Sequence, residues 1–249
     1  MPQALLLDIN GVLYEDDLPL PGAVEALKSL RVRGIPFRLV TNASRRSRAA
    51  THAKLASIGF DVQLEQVFSA PQAVLRHLRK HQLRPYCLIH TALEEEFGMP
   101  LDDPSPNAVV IGDAEARFDY AHLNRAFQLL IQGMPLICMG ANRYFSAGGE
   151  LHLDAGPFVR ALEYAADTEA LVLGKPAPSF FRAALEDLGV APEQALMIGD
   201  DVEADILGAQ EVGLQACLVR TGKYRPGDEQ RAPGAGLAAD LAEAVARYC

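Results

Sequence analysis
Apolar residues in this chain fall into short runs separated by stretches with helical spacing. Leu5–Leu7 is a short apolar strand. Val24, Leu27 and Leu30 then recur at helical intervals, with Gly34 as a stop. Pro36–Val40 reads as the next strand. Ser44 is placed to cap a helix running through Leu55 to Ile58 and ended by Gly59. The C-terminal part repeats the pattern. Ala170–Leu173, Ala195–Ile198 and Ala216–Val219 read as strands. Pro178–Leu188 and Asp205–Val212 read as helices closed by Gly189 and Gly213. Alternation of this kind predicts an α/β fold with a parallel sheet, and the nearly continuous apolar strands suit burial on both faces.

Between these parts lies a stretch with its own pattern. A helix is expected through Val74, Leu75 and Leu78, and strands at Tyr86–Ile89, Ala108–Ile111 and Pro135–Cys138. A second helix runs through Leu123, Phe127 and Leu130. The connections Asp102–Pro106 and Ala147–Gly149 are rich in Pro and Gly. The expected division is a core of residues 1–72 and 166–249 interrupted by an α/β module of residues 73–165.

Bulk properties narrow the function. With 249 residues the chain is long enough for a sizeable core, and no apolar run reaches membrane-span length. Met1-Pro2-Gln3 and the brief apolar stretch after it lack the basic and long apolar regions of a signal peptide. A net charge of -9 disfavours nucleic acid as a main partner. Cys87, Cys138, Cys217 and Cys249 show no metal-type spacing and read as free thiols in a reducing cytoplasm.

The candidate chemistry sits where strands end. Asp8, Thr41, Lys175 and Asp200 each follow an apolar run, and in an open parallel sheet such positions converge beyond the C-terminal strand ends. Singly, each is an ordinary turn or cap residue; the ordered set points to phosphoryl transfer. Asp8 is the candidate nucleophile, forming an acyl phosphate. Mg²⁺ suits the Asp8–Asp200 pair, with the main-chain carbonyl of Asn10 as a third ligand. Thr41 and Asn42 are candidates to hold phosphate oxygens, and Lys175 to neutralise phosphate and nucleophile. Asp201 and Asp205 are placed to orient bound water or Lys175. Arg45, Arg46 and Arg48 read as a solvated face, with steering of an anionic substrate as the alternative.

Asp8-Ile-Asn-Gly-Val, Val40-Thr-Asn-Ala-Ser44, Gly174-Lys-Pro176 and Gly199-Asp-Asp-Val-Glu-Ala-Asp205 resemble the four motifs of the haloacid dehalogenase-like hydrolases. The inserted module resembles the type C2 cap of the NagD-like branch. The similarity extends to Arg84–His90, Asn124–Phe127, Gly156–Phe158, Ala161–Ala165 and Val219–Pro226. It implies a Rossmann-like core and a Mg²⁺-dependent phosphohydrolase, in which Asp8, Asn10 and Asp200 hold the metal and Thr41, Asn42 and Lys175 bind phosphate. A homodimer through the cap is compatible with it.

One position departs from the family. Most phosphatases of this kind carry Asp two residues after the nucleophile, as the acid that protonates the leaving oxygen; here it is Asn10. The departure favours P–N or pyrophosphate bonds, or activated aryl esters, unless Asp201 or Glu15 supplies the proton. Expected substrates are small phosphorylated molecules, pyrophosphate or phosphorylated protein side chains. The alternatives are a general phosphatase of sugar phosphates or nucleotides and a degenerate phosphate-binding regulator. A receiver-like domain or a phosphoryl transferase fits less well. Asn142, Arg143 and the Ser146–Gly149 loop are candidate substrate contacts in the cap.

Overall fold
The computed structural model describes residues 1–98, 101, 103–147 and 150–249. The chain divides into two compact units. The first comprises Met1–Thr41, Arg48–Phe68 and Lys175–Cys249; the second comprises Asn42–Ser47 and Ser69–Gly174.

The first unit opens with β1 (Ala4–Asp8), a short hairpin of β2 (Tyr14–Glu15) and β3 (Leu18–Pro19), then β4 (Phe37–Thr41) and β5 (Val67–Ser69). In the second unit, β6 (Pro85–Leu88), β7 (Ala108–Ile111) and β8 (Leu136–Cys138) precede a hairpin of β9 (Tyr144–Ala147) and β10 (Glu150–Leu153). The short strand β11 (Leu171–Val172) follows. The chain then returns to the first sheet with β12 (Ala195–Gly199), β13 (Gln215–Val219) and β14 (Gly236–Ala238).

The main sheet has the order β14-β13-β12-β1-β4-β5. Strand β1 pairs in parallel with β12 on one side (Leu7 beside Ile198) and with β4 on the other (Asp8 beside Val40). Every residue of β1 and β12 is buried, as the unbroken apolar runs predict. Leu5, Leu7, Leu39, Leu196 and Ile198 share one core with Leu27 and Leu30 of the helix Ala23–Val32. Chain order runs outward from β1 in both directions, so the switch point lies between β1 and β12, where ligands of such sheets bind.

The second unit carries a four-stranded sheet of order β11-β8-β7-β6 and the separate hairpin. Its core joins Leu88, Val109, Ile111 and Cys138 to Leu129 and Val159, from the helices Tyr120–Ile131 and Ala155–Ala166.

Three sequence expectations change. Leu171–Val172 pairs with β8 in the second sheet, not the first, because Leu171 lies beside Ile137 and Val172 beside Cys138. Ser44 caps no helix: residues 42–47 belong to the second unit and the helix begins at Arg48. The helix expected from Asp205 begins earlier, as a wide π-type turn over Val202–Leu207 that passes into the α-helix Gly208–Val212. Asp102, Gly148 and Gly149 lie outside the described residues. Among those described, no helix is long and apolar enough to cross a membrane.

Candidate active site
The register of the main sheet explains why distant residues meet. Asp8 ends β1, Thr41 ends the neighbouring β4, and Asp200 follows the last residue of β12. All three reach the same sheet edge, and all three are buried. Lys175, also buried, donates from Nζ to Asp8 Oδ1, and to Asp205 Oδ1 at 2.6 Å. Burial by itself would depress the lysine pKa. The Asp205 and Asp8 carboxylates outweigh that and raise it, so Lys175 stays charged.

Asp205 meets Lys175, one of the two partners the sequence reading considered for it. Its Oδ2 accepts from the Asp201 N–H at 3.2 Å while Oδ1 takes Lys175, so both oxygens are engaged. A Cβ at Gly199 would overlap its carboxylate, which is why the strand ends in glycine there. Burial pushes the Asp205 carboxyl up to about 6. Asp200 is pushed further, to about 8, by burial first and then by the Asp8 and Asp205 charges. Its Oδ2 accepts from the Lys223 N–H at 2.7 Å. Asp201 caps the π-type turn, accepting from the N–H groups of Glu203 and Ala204, and its Oδ2 meets Lys223 Nζ at 3.0 Å. Burial raises its pKa, but the Ala204 amide and Lys223 outweigh this and lower it.

Carboxylate oxygens of Asp8, Asp200 and Asp205 lie within 4.8 Å of one another. Three buried acids against one lysine leave negative charge to be met, and hard oxygen donors suit a small divalent cation. Asp8 and Asp200 fit that role better than Asp205, whose oxygens are already bonded.

Two glycines close the cradle. Gly11 (φ +84°) and Gly222 (φ +56°) pack against each other and against Asp200; a Cβ on either would overlap its Oδ2. The Thr221 hydroxyl donates to the Gly11 carbonyl, tying the two loops together. Thr221, Gly222 and Lys223 fall within the Val219–Pro226 stretch that carries the family resemblance, but the sequence reading assigned them no place beside Asp200. They follow β13 as the sequence residues follow the other strands, and that position was the available signal.

The remaining candidates are placed differently. Asn10 bridges to Tyr14 through the main chain and its side chain is exposed. Asn42 belongs to the second unit, where a Cβ at Gly174 would lie 2.9 Å from its Oδ1. Arg45 pairs with Asp113 (2.5 Å) and Glu115 (3.0 Å) within the second unit. Asn142 and Arg143 are exposed, and their carbonyls accept from the Gly156 and Asp154 N–H groups.

A parallel sheet whose switch point gathers buried carboxylates around one lysine defines a Rossmann-like domain with a cation-seeking acidic centre. Comparison with known proteins gives the family. Residues 5–99 match the model described as haloacid dehalogenase-like hydrolase, and residues 172–244 one described as HAD-hydrolase-like. Phospholysine phosphohistidine inorganic pyrophosphate phosphatase of Xenopus laevis is 44% identical, over 98% of this chain and 93% of its own length. A 4-nitrophenylphosphatase from Thermotoga maritima superposes with a TM-score of 0.90 at 28% identity, covering 98% of this chain and 97% of its own. A glycerol phosphate phosphatase from Mycobacterium tuberculosis, solved in complex with magnesium, gives 0.83 at 28% identity, covering 96% of this chain and 75% of its own. The chain belongs to the haloacid dehalogenase-like hydrolase family.

Proposed function
We propose that this protein is a Mg²⁺-dependent phosphohydrolase that works through an aspartyl phosphate on Asp8 and prefers substrates whose leaving group needs no proton from an enzyme side chain. The observation that carries the reading is the buried Asp8–Lys175–Asp205 chain beside Asp200. Asp8 and Asp200, with the Asn10 carbonyl, would hold Mg²⁺, which supplies charge neutralisation at the phosphoryl oxygens. The magnesium-bound glycerol phosphate phosphatase supports that choice of metal.

Asp8 attacks phosphorus as the bond to the leaving group breaks, and the leaving group departs with the electron pair. Water then attacks the acyl phosphate, releasing phosphate and regenerating the carboxylate. Lys175 holds Asp8 in place and offsets charge on the transferred group, Asp205 holds Lys175, and Thr41 and Asn42 bind phosphate oxygens.

Asn10 cannot act as an acid. Asp201, whose carboxyl is lowered and bound by two amides and Lys223, is a poor substitute. General acid catalysis is worth roughly 10²–10⁴-fold, so alkyl esters lose most from its absence. A phosphoramidate nitrogen takes its proton from solvent before P–N cleavage, imidazole readily so with a pKa of about 6.5, and then leaves as the neutral base; a phosphate leaving group, with a second pKa of about 6, leaves as the anion. Phosphoramidates, pyrophosphate and activated aryl phosphates are therefore the favoured classes, in a cytoplasmic setting, and the names of the Xenopus laevis and Thermotoga maritima relatives agree with these classes. Phosphorylated protein side chains and a homodimer belong to the same reading.

The test compares wild type with Asn10→Asp on phosphoramidate, pyrophosphate and an alkyl phosphate. The substitution is expected to raise alkyl phosphate turnover by about 10²-fold while changing phosphoramidate hydrolysis little. A wild type that is the better alkyl phosphatase would refute the assignment.

A further inference from the structure
The helix Ala70–Lys80 of the second unit carries two histidines four residues apart, His77 in its last turn and His81 at its C-cap. An α-helix puts such positions on one face, one turn apart. The turn is complete, since the His81 N–H donates to the His77 carbonyl at 3.1 Å. The two imidazoles lie against each other, with ring centres 4.3 Å apart and planes 35° apart. Contact between ring faces leaves the nitrogens, which lie at the ring edges, open to a ligand.

The backbone holds the outer histidine in place. Gln82, directly after His81, takes a left-handed conformation (φ +53°). Its N–H donates to the Arg79 carbonyl at 3.3 Å, and the Leu83 N–H donates to the Leu78 carbonyl at 2.9 Å. These are the two bonds of a Schellman closure, a position usually given to glycine. His81 is therefore fixed relative to His77 although the regular helix ends at Lys80.

The rings suit one kind of ligand. Ala73 and Val74 of the preceding turn are buried, His77 is half-buried and His81 is exposed. Partial burial, then the charges of His81 and Lys80, lower the His77 pKa. At neutral pH His77 is thus an uncharged imidazole with a lone pair to give. Two imidazoles in contact resist taking a proton each, but they can share one metal ion. Metal–imidazole bonds of about 2.0–2.1 Å bring two nitrogens to about 3 Å from each other. Rings with centres 4.3 Å apart can meet that spacing. No Asp or Glu occurs from Ala70 to Leu93, so this segment offers no carboxylate to a hard cation such as Mg²⁺ or Ca²⁺. Imidazole suits zinc, nickel and copper instead. The partial negative charge of the helix C-terminus favours a cation there, and Lys80 opposes it.

We propose that His77 and His81 form a binding site for a divalent transition metal of the zinc, nickel and copper class, chemically separate from the acidic centre of the first unit. The proposal does not rest on the phosphohydrolase reading.

Cu²⁺, which leads this class in affinity for nitrogen donors, is the probe. It is added in substoichiometric amount to the full-length protein in excess MgCl₂, and electron spin-echo modulation counts the coordinated imidazoles. Two are expected in the wild type, and fewer than two in His77→Gln and in His81→Gln. Each substitution should weaken Cu²⁺ binding by about tenfold or more, since losing even the indirect support of a metal ligand costs roughly 10–100-fold. His122→Gln, at a ring that meets Asp119 on another helix, should leave both readouts unchanged. Unchanged melting temperatures without Cu²⁺ show that the variants fold. Should His77→Gln fail to fold, the exposed His81→Gln decides alone. Fewer than two imidazoles in the wild type, two retained in His81→Gln, or Cu²⁺ affinity indifferent to that substitution overturns the assignment.

Discussion
Asp200 shows how much of a site is held by residues that do no chemistry. Its carboxylate sits between the Lys223 amide and two glycines, and each glycine has both a positive φ and no room for a Cβ. Gly222→Ala combines a left-handed alanine, costing about 1–2 kcal/mol, with displacement of a proposed metal ligand. Activity should fall by roughly 10–100-fold, the usual range when support for a ligand is lost. Steady-state kinetics beside a melting curve checks both effects; an alanine variant with wild-type kcat/KM would exclude this role for the loop. Asp8, Lys175 and Asp200 were legible because strand-end carboxylates and lysines advertise themselves in an apolar context. Lys223 was not: its contribution to Asp200 is a main-chain N–H, which any residue but proline possesses.

At the scale of elements, the π-type turn after β12 is the piece that brings Asp205 back to Lys175. The N–H groups of Asp205 and Ile206 both reach the Asp201 carbonyl, at 2.9 and 3.3 Å, which widens the turn. Asp201 stabilises that start through two side-chain bonds, so Asp201→Ala should cost about 0.5–2 kcal/mol. Urea denaturation measures this; an unchanged midpoint would show that the turn needs no cap. Strands β1, β4, β12 and β13 of one sheet and β6, β7 and β8 of the other were readable from apolar runs because burial on both faces leaves no other pattern, whereas the outer strands β5 and β14 were not read. The start of Arg48–Ser57 was not, since Ser44 satisfies the local rule for a cap while its segment joins the other unit. Leu171–Val172 misled for a related reason. A two-residue strand carries no label for the sheet it joins, and only its pairing with Ile137 and Cys138 decides. The β9–β10 hairpin escaped notice because every residue of β10 is exposed, so no buried face imposes alternation.

The acidic centre also makes the whole molecule sensitive to pH. In the folded state burial and the neighbouring acidic charges push Asp200 up to about 8 and burial pushes Asp205 up to about 6, both above the ordinary carboxylate value of 3.8. A raised carboxyl favours the folded state while protonated. The stability this gives is complete below the unfolded value and is lost as pH climbs from about 4 to about 8. A divalent cation held by Asp8 and Asp200 reverses the preference at Asp200 by favouring its ionised form, and its binding releases protons. The rise in melting temperature on adding MgCl₂ should therefore grow between about pH 5 and about pH 8. A shift independent of pH would contradict the placement of the metal at Asp8 and Asp200. The sheet order has one further consequence, for synthesis. Strand β1 needs β4 on one side and β12 on the other, and β12 is translated more than 150 residues after it. All four strands of the second sheet emerge in the interval. On the ribosome the interrupting unit can close while β1 still presents an unpaired apolar edge, and Asp8 gains Lys175 only once the later half of the chain has been made.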